Sequence, residues 1–276
     1  MLTQAFHHTF PAPIWRLVCE QAPAEDGLLL AEIRTGGMLP DERTLRLETL
    51  GLPHGEPGWL GENALPWSAT VLQIWYGLAL YHRFDNARLP VPTALGCLDL
   101  RSGEVRWEWP GHALVRTDGR WVAVRRTADP AAQPVVFRLA DGEAVQEPVP
   151  EPSESAALHF PVSYPPDSPH RPVIDRYLRN TAGIEPIGPV GYLEIGDKLL
   201  FSYTVDEGSD SFRSYVRVAD RRRQLWLQLP IGREPMAQPP PDSVILSQLG
   251  ETAAFFVWQR QLVLQTQPTE LVSFYL

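Results

Sequence analysis

The chain repeats one short construction at a fixed interval, and that interval narrows the folds open to it. Residues 97–107 read CLDLRSGEVRW: a strand carrying Cys97, Leu98 and Leu100, a turn Arg101-Ser102-Gly103-Glu104, and a new strand opening Val105-Arg106-Trp107. A glycine-bearing turn between two β-rich runs marks a hairpin. The construction returns as VVFRL at 135–139, turn Ala140-Asp141-Gly142-Glu143, then Ala144-Val145, with Leu139 standing 39 residues beyond Leu100. A looser copy runs Tyr215–Ala219, turn Asp220–Arg222, then Gln224-Leu225-Trp226-Leu227, and its Val218 lies 79 residues past Leu139, nearly two intervals. The spacing is close to the roughly 40–45 residues of a four-stranded propeller blade.

Each hairpin follows two further strands. Ala69–Trp75 and Leu78–His82 flank Gly77 before the first copy, His112–Arg116 and Arg120–Arg126 precede the second, and Val190–Ile195 and Lys198–Val205 the third. The last residues supply three strands, near Ala253–Trp258, Gln261–Gln265 and Glu270–Tyr275, and no fourth. Ile14–Val18 matches the outer strands Val105–Trp107 and Leu225–Leu227 in character, so it is expected to pair with the final sheet and remove a loose edge. Leu28–Arg34 and Thr44–Glu48 make a further incomplete unit. The expected fold is all-β: one five-bladed, β-propeller-like domain over residues 1–276, with an N-terminal strand closing the last blade. A pair of β-sandwiches is the alternative.

Composition agrees. The 28 prolines disfavour helix interiors, and 44% hydrophobic residues suffice for a substantial core. A net charge of −9 opposes nonspecific binding to nucleic acid or to an anionic membrane, so neither is expected as a partner. Arg221-Arg222-Arg223 reads as a solvated turn. Cys19 and Cys97 form no CxxC pair, which suggests neither a disulfide framework nor a structural zinc site. The opening MLTQAFHHTFPAPIW lacks the basic and apolar regions of a secretory signal, and a cytoplasmic location is expected. Residues 64–81 carry no charge over 18 positions, the lower limit for a membrane span. Pro66, Ser68, Thr70, Gln73 and Gly77 within them favour two strands instead.

Residues 149–188 interrupt the pattern with VPEPSES and HFPVSYPPDSP. Ser168-Pro169 resembles an N-cap with proline at the first helical position. Val173, Ile174, Tyr177 and Leu178 recur at helical spacing, predicting a short amphipathic helix over His170–Thr181 that ends near Gly183. Pro230–Asp242, with REPMAQPPPD, is expected to be an extended exposed loop.

LDLRSGEVRW resembles the strand–turn–strand–tryptophan repeats of PQQ-type quinoprotein propellers. The order IWRL (14–17), LLLAEIR (28–34), GCLDLRSGEVRW (96–107) and GYLEIGDKLLFSY (191–203) resembles a bacterial family of about this length, a domain of unknown function. These stretches are strand and turn residues, so the resemblance implies architecture rather than chemistry. No cofactor is expected, because the quinoprotein enzymes add a secretory signal and more blades.

The chain has no GxSxG, HExxH, GxxxxGK[ST] or GxGxxG motif. His7-His8 is a poor metal signal, His82 and His112 fit hydrogen bonding at strand ends, and no metal site is expected. Loops on a rigid scaffold commonly carry binding and catalysis, which directs attention to Arg83–Arg88, Thr127–Gln133 and Asp206–Arg213. Arg83, Arg88 and Arg213 would bind an anion if they converged. Asp85, Asp206, Glu207 and Asp210 supply carboxylates for acid–base work at a glycosidic bond or for calcium. Tyr164, His170 and Arg171, with His159, group in the 149–188 insertion as a pocket lining. Trp15, Trp107 and Trp226 fit outer-strand packing, whereas Trp59, Trp67, Trp109 and Trp258 are free to stack on a sugar or a partner. The leading expectation is a binding module for a small molecule or protein, without catalysis. A small hydrolase, glycosidase-like or lactonase-like, is the alternative, and whether the chain is an enzyme stays open.

Overall fold

The computed structural model describes residues 1–22, 26–36, 42–62, 64–85, 91–149, 151, 158–208, 211–236, 246–248 and 251–276. Apart from one helix its regular structure is antiparallel β-sheet, grouped in two compact units, Ala12–Ala156 and Met1–Pro11 with Ala157–Leu276.

The first unit holds three four-stranded meanders, in each of which every strand pairs with its neighbour in sequence. Sheet 1 comprises Ile14–Cys19, Gly27–Thr35, Thr44–Leu52 and Glu56–Glu62. Sheet 2 comprises Ala69–Trp75, Leu78–Arg83, Ala94–Asp99 and Val105–Pro110, and sheet 3 His112–Thr117, Trp121–Arg126, Val135–Arg138 and Ala144–Val145. In the second unit, sheet 4 runs Val162–Tyr164, Ile187–Ile195, Lys198–Gly208, Ser211–Asp220 and Leu225–Met236. Sheet 5 is ordered Leu158–His159, Phe255–Trp258, Gln261–Gln267, Glu270–Tyr275 and finally Thr3–Thr9.

The repeat seen in the sequence is also a repeat of hydrogen bonds. Asp99 N–H donates to the Glu104 carbonyl at 2.9 Å, as Arg138 does to Glu143 at 2.9 Å and Asp220 to Gln224 at 3.1 Å. The third turn is one residue shorter than the other two. The residue just before each closing position adopts a left-handed φ in all three turns, at Gly103 (76°) and Gly142 (74°) without strain and at Arg223 (70°) with it. The residue after the opening position then donates to the turn of the preceding hairpin: Leu100 to Gly77 at 2.9 Å, Leu139 to Arg120 at 3.0 Å, and Arg221 to Asp197 at 3.3 Å. Leu276 makes the same bond to Arg260 at 2.8 Å. Each outer hairpin is thereby locked to the inner one, and the sheets grow as units.

Apolar faces then pack sheet on sheet. Val18, Leu30 and Leu47 of sheet 1 meet Val71, Ile74 and Tyr81 of sheet 2 in one buried cluster, while Leu80, Leu95 and Trp107 of sheet 2 meet Val122 and Val124 of sheet 3 in another. Burying each such side chain contributes about 1.5–3 kcal/mol. Gly142 is required for space as well as for φ, since a Cβ there would lie 2.9 Å from Cγ of Trp107.

Four polar side chains tie neighbouring sheets of the first unit. The fully buried Glu32 accepts from Val71 N at 2.5 Å, from Thr70 Oγ1 at 3.3 Å and from Arg34 Nη2 at 3.3 Å. Arg34 also donates to the carbonyls of Trp67 (3.0 Å) and Ala69 (2.6 Å). Glu20 accepts from Gly77 N at 2.9 Å, and burial pushes its carboxyl above the usual range. His82 Nε2 accepts from Leu114 N at 3.0 Å, joining sheet 2 to sheet 3.

Four expectations are corrected. The N-terminal strand paired to Glu270–Tyr275 is Thr3–Thr9, whereas Ile14–Cys19 pairs with Gly27–Thr35; Pro11 and Pro13 separate the two strands. The helix, α1, spans Arg171–Ala182 with His170 rather than Ser168 at its N-cap and Pro172 in its first turn. Ser168 instead closes a preceding turn, donating to Pro165 O at 3.0 Å and accepting from Arg171 N at 3.1 Å. Pro230–Met236, expected as loop, continues the last strand of sheet 4, and residues 237–242 of that segment lie outside the described residues. The stretch around HFPVSY supplies the first strands of sheets 5 and 4. Residues 69–83 form two strands, as the polar residues among them imply, and no helix among the described residues is long and apolar enough to cross a membrane.

Candidate functional site

Helix α1 lies against sheet 4, and the cleft it leaves is the candidate site. Pro172 is compatible with the first helical turn because the amide it lacks would have had no intrahelical partner. Gly183 ends the helix in a left-handed conformation, its N–H donating to Arg179 O at 2.9 Å. Ile174 and Leu178, four residues apart, bury the helix against Val190, Leu199, Phe201 and Tyr203. Arg171 is 3% exposed and fixes the helix start. Its guanidinium pairs with Asp175 Oδ1 at 2.6 Å and donates to the carbonyls of Tyr164 (3.1 Å), Gly188 (2.6 Å) and Pro186 (3.2 Å).

Those fixed carbonyls hold Tyr164 beside the helix. Its ring meets His170 edge-on, with centroids 6.1 Å apart at 87°, and Tyr192 at 6.5 Å and 61°. Tyr192 tilts against Phe201 at 5.3 Å, and Tyr177 from α1 stacks on Phe201 at 5.2 Å and 19°. With Val173, Ile174 and Leu199 these rings line a cleft of about 280 Å³. Two phenols are spent at its rim: Tyr177 donates to Asp220 O at 3.2 Å and Tyr192 to Glu194 Oε2 at 3.0 Å. Burial, then the Glu194 contact, pushes the Tyr192 hydroxyl up to about 12, and burial raises Tyr177. Both stay neutral and turn ring carbons toward the cleft. The arrangement can enclose a small apolar or π-bound group.

Of the residues singled out in sequence, Tyr164 and His170 come together here, and Arg171 supports them from behind. The loop carboxylates have other partners. Asp206 Oδ1 accepts from Gly208 N at 2.7 Å, and Glu207 pairs with Arg213 Nε at 3.3 Å while accepting from Tyr215 Oη at 2.6 Å. In the first unit, Arg83 Nη1 donates to Glu108 Oε1 at 2.5 Å, Glu108 also accepts from Tyr81 Oη at 2.8 Å, and Asp85 accepts from Thr93 Oγ1 at 3.0 Å. Arg88 and Asp210 lie outside the described residues. Among the described residues no group of three or more His, Cys, Asp or Glu is placed to hold a metal ion. A second cleft, of about 610 Å³ in the first unit, is lined by Glu20, Asp26, His54, Glu56 and Arg101, but Glu20, its most buried carboxylate, is committed to the Gly77 turn.

The tryptophans divide differently from expectation. Trp258 is 2% exposed, and Trp109 is packed between Trp107 (4.2 Å) and Phe137 (3.8 Å), so neither is free to stack on a ligand. Trp67 stacks with Arg34 and Arg43, and the side chain of Trp59 lies outside the described residues. Trp15 falls at an irregularity in the pairing of its strand and is 65% exposed. Sequence reading missed Tyr192, Leu199 and Phe201 as lining residues. Their signal was present in the alternation of GYLEI and LLF, which places Tyr192, Leu199 and Phe201 on the sheet face that meets the helix.

No protein-family model matches the chain, and no curated protein matches it. Among solved structures, the chain is similar to the β-propeller domain of the Trilobed protease from Pyrococcus furiosus, at 11% identity over 91% of this chain and 63% of that one, with a TM-score of 0.29. It is also similar to a europium-containing methanol dehydrogenase, at 10% identity over 84% of this chain and 54% of that one, with a TM-score of 0.25. This chain spans less than two thirds of the length of either structure.

Proposed function

We propose that the protein is a non-catalytic binding module of β-propeller type, in which the five meanders are blades and the cleft under α1 receives a small ligand. The cleft carries this reading. Four aromatic side chains and one imidazole converge on it, from a helix and a sheet that are held by buried hydrogen bonds. Its volume of about 280 Å³ lies just below the roughly 300–1,000 Å³ typical of ligand pockets, which suits a small ligand. The pairing of Thr3–Thr9 with Glu270–Tyr275 supports the propeller, because a ring of blades is commonly closed by an N-terminal strand. The engagement of Asp206, Glu207 and Arg213 with one another and with their own hairpin favours binding over hydrolysis. The cytoplasmic location belongs to the same proposal.

Ligand-observed NMR against a panel of small polar-aromatic, aliphatic and cationic compounds tests the site. Compounds that bind the wild-type chain are expected to lose their signal with Tyr192→Leu and with Val173→Arg, the latter an exposed helix position at the cleft that leaves the core intact. A panel whose binders are all retained by both variants sinks the assignment. An experimental structure with the sheets stacked as two sandwiches sinks the propeller.

A further inference from the structure

We infer that the cleft under α1 is shaped for the head group of a quaternary-ammonium cation, an inference that rests on reading this cleft as the binding site. The first argument is the lining. Tyr177 and Phe201 form one near-parallel layer at 19°, while Tyr192 is inclined to Phe201 at 42° and Tyr164 to Tyr192 at 61°. The rings therefore lie in three orientations rather than as one parallel slot. A flat aromatic ligand is best served by two parallel faces, whereas a rounded cation is attracted by the negative face of every ring that surrounds it.

The second argument is where the hydroxyls point. The phenols of Tyr177 and Tyr192 are hydrogen-bonded to Asp220 O and to Glu194 Oε2. Neither needs to be satisfied by the ligand, so a group with no hydrogen-bond donor of its own leaves neither phenol unsatisfied; a quaternary ammonium is such a group. The bond from Tyr192 to a carboxylate also shifts electron density into the phenol ring, which strengthens its attraction for a cation.

The third argument is charge. No lysine or arginine is among the lining residues. Arg171 is paired with Asp175 and Arg221 with Glu194, and the chain as a whole carries −9. That net charge concentrates cations near the surface at low salt.

The probes are choline and 3,3-dimethyl-1-butanol, which share one shape and differ in the charge of the central atom. Calorimetric titration of the full chain at low ionic strength is expected to show saturable choline binding, with the neutral isostere at least tenfold weaker. Tyr192→Leu is expected to weaken choline about fivefold or more, within the usual range for one cation–π contact, and Tyr192→Phe by about twofold, through loss of the Glu194 bond alone. Melting curves identify variants that have not folded, and Tyr192→Phe, which keeps the ring, remains informative if Tyr192→Leu does not fold. Equal affinity for the two probes, both lost in Tyr192→Leu, overturns the cation and leaves the binding site standing. The cation also falls if choline does not saturate while other compounds bind in the cleft. If no compound of any class binds there, the reading of the cleft falls as well.

Discussion

His82 should make the first unit acid-sensitive in a way that one substitution removes. Its Nε2 accepts a hydrogen bond from Leu114 N at 3.0 Å, a role open only to the neutral ring, and burial depresses its pKa from 6.5 to about 4. Because the folded value lies below the unfolded one, the stabilising contribution is complete above the unfolded pKa and is lost as pH falls from about 6.5 toward 4. The full span of about 2.5 units corresponds to about 3.4 kcal/mol at 1.36 kcal/mol per unit. Between pH 7.5 and 5 the loss is about 2 kcal/mol. His82→Gln places an amide oxygen near the same acceptor position and does not titrate. Urea unfolding of both proteins across pH 5–7.5 should therefore show the wild type losing about 2 kcal/mol more than His82→Gln, the other titrating groups cancelling in the comparison. Parallel stability curves for the two proteins would refute the assignment of that acid loss to His82.

Two further perturbations address the sheets. Glu32→Ala removes a buried carboxylate that holds Val71, Thr70 and Arg34, and should cost about 3–5 kcal/mol in urea unfolding; a loss below about 1 kcal/mol would mean that Glu32 contributes little to joining sheets 1 and 2. The three equivalent turns predict opposite effects. Gly142→Ala, at φ 74° and facing Trp107, should destabilise by about 2 kcal/mol or more, whereas Arg223→Gly, at φ 70°, should stabilise by up to about 1 kcal/mol. Equal responses in thermal melts would show that the turns are not equivalent.

What could be read in the sequence was whatever local chemistry decides. Gly77, Gly103 and Gly142 each fix a turn with a positive φ, and the β-branched and aromatic runs beside them became the strands of sheets 2 and 3 almost to the residue. Helix α1 was legible from Ile174, Tyr177 and Leu178 and from Gly183 as its end. What local chemistry does not decide was missed. In Thr3–Thr9 only Phe6 is buried, so the strand carries little apolar alternation and exists because Glu270–Tyr275 offers it an edge. Glu56–Glu62, EPGWLGE, is rich in residues depleted from strands and is held by pairing with Thr44–Leu52. The cleft followed the same division: Tyr164 and His170 sit beside the helix in sequence, whereas Tyr192 and Phe201 reach it only through the register of sheet 4.

The pairing of residues 3–9 with 270–275 has a consequence for biosynthesis. Those seven residues leave the ribosome long before residues 270–275, and must wait for the intervening sequence before their partner emerges. Residues 12–156 are contiguous and can condense during translation. The second unit cannot complete its outermost pairing until residues 270–275 emerge, and in that interval the leading segment is open to capture by another nascent copy. Deleting residues 1–11 would leave the Glu270–Tyr275 edge permanently open, and concentration-dependent association should be the first symptom.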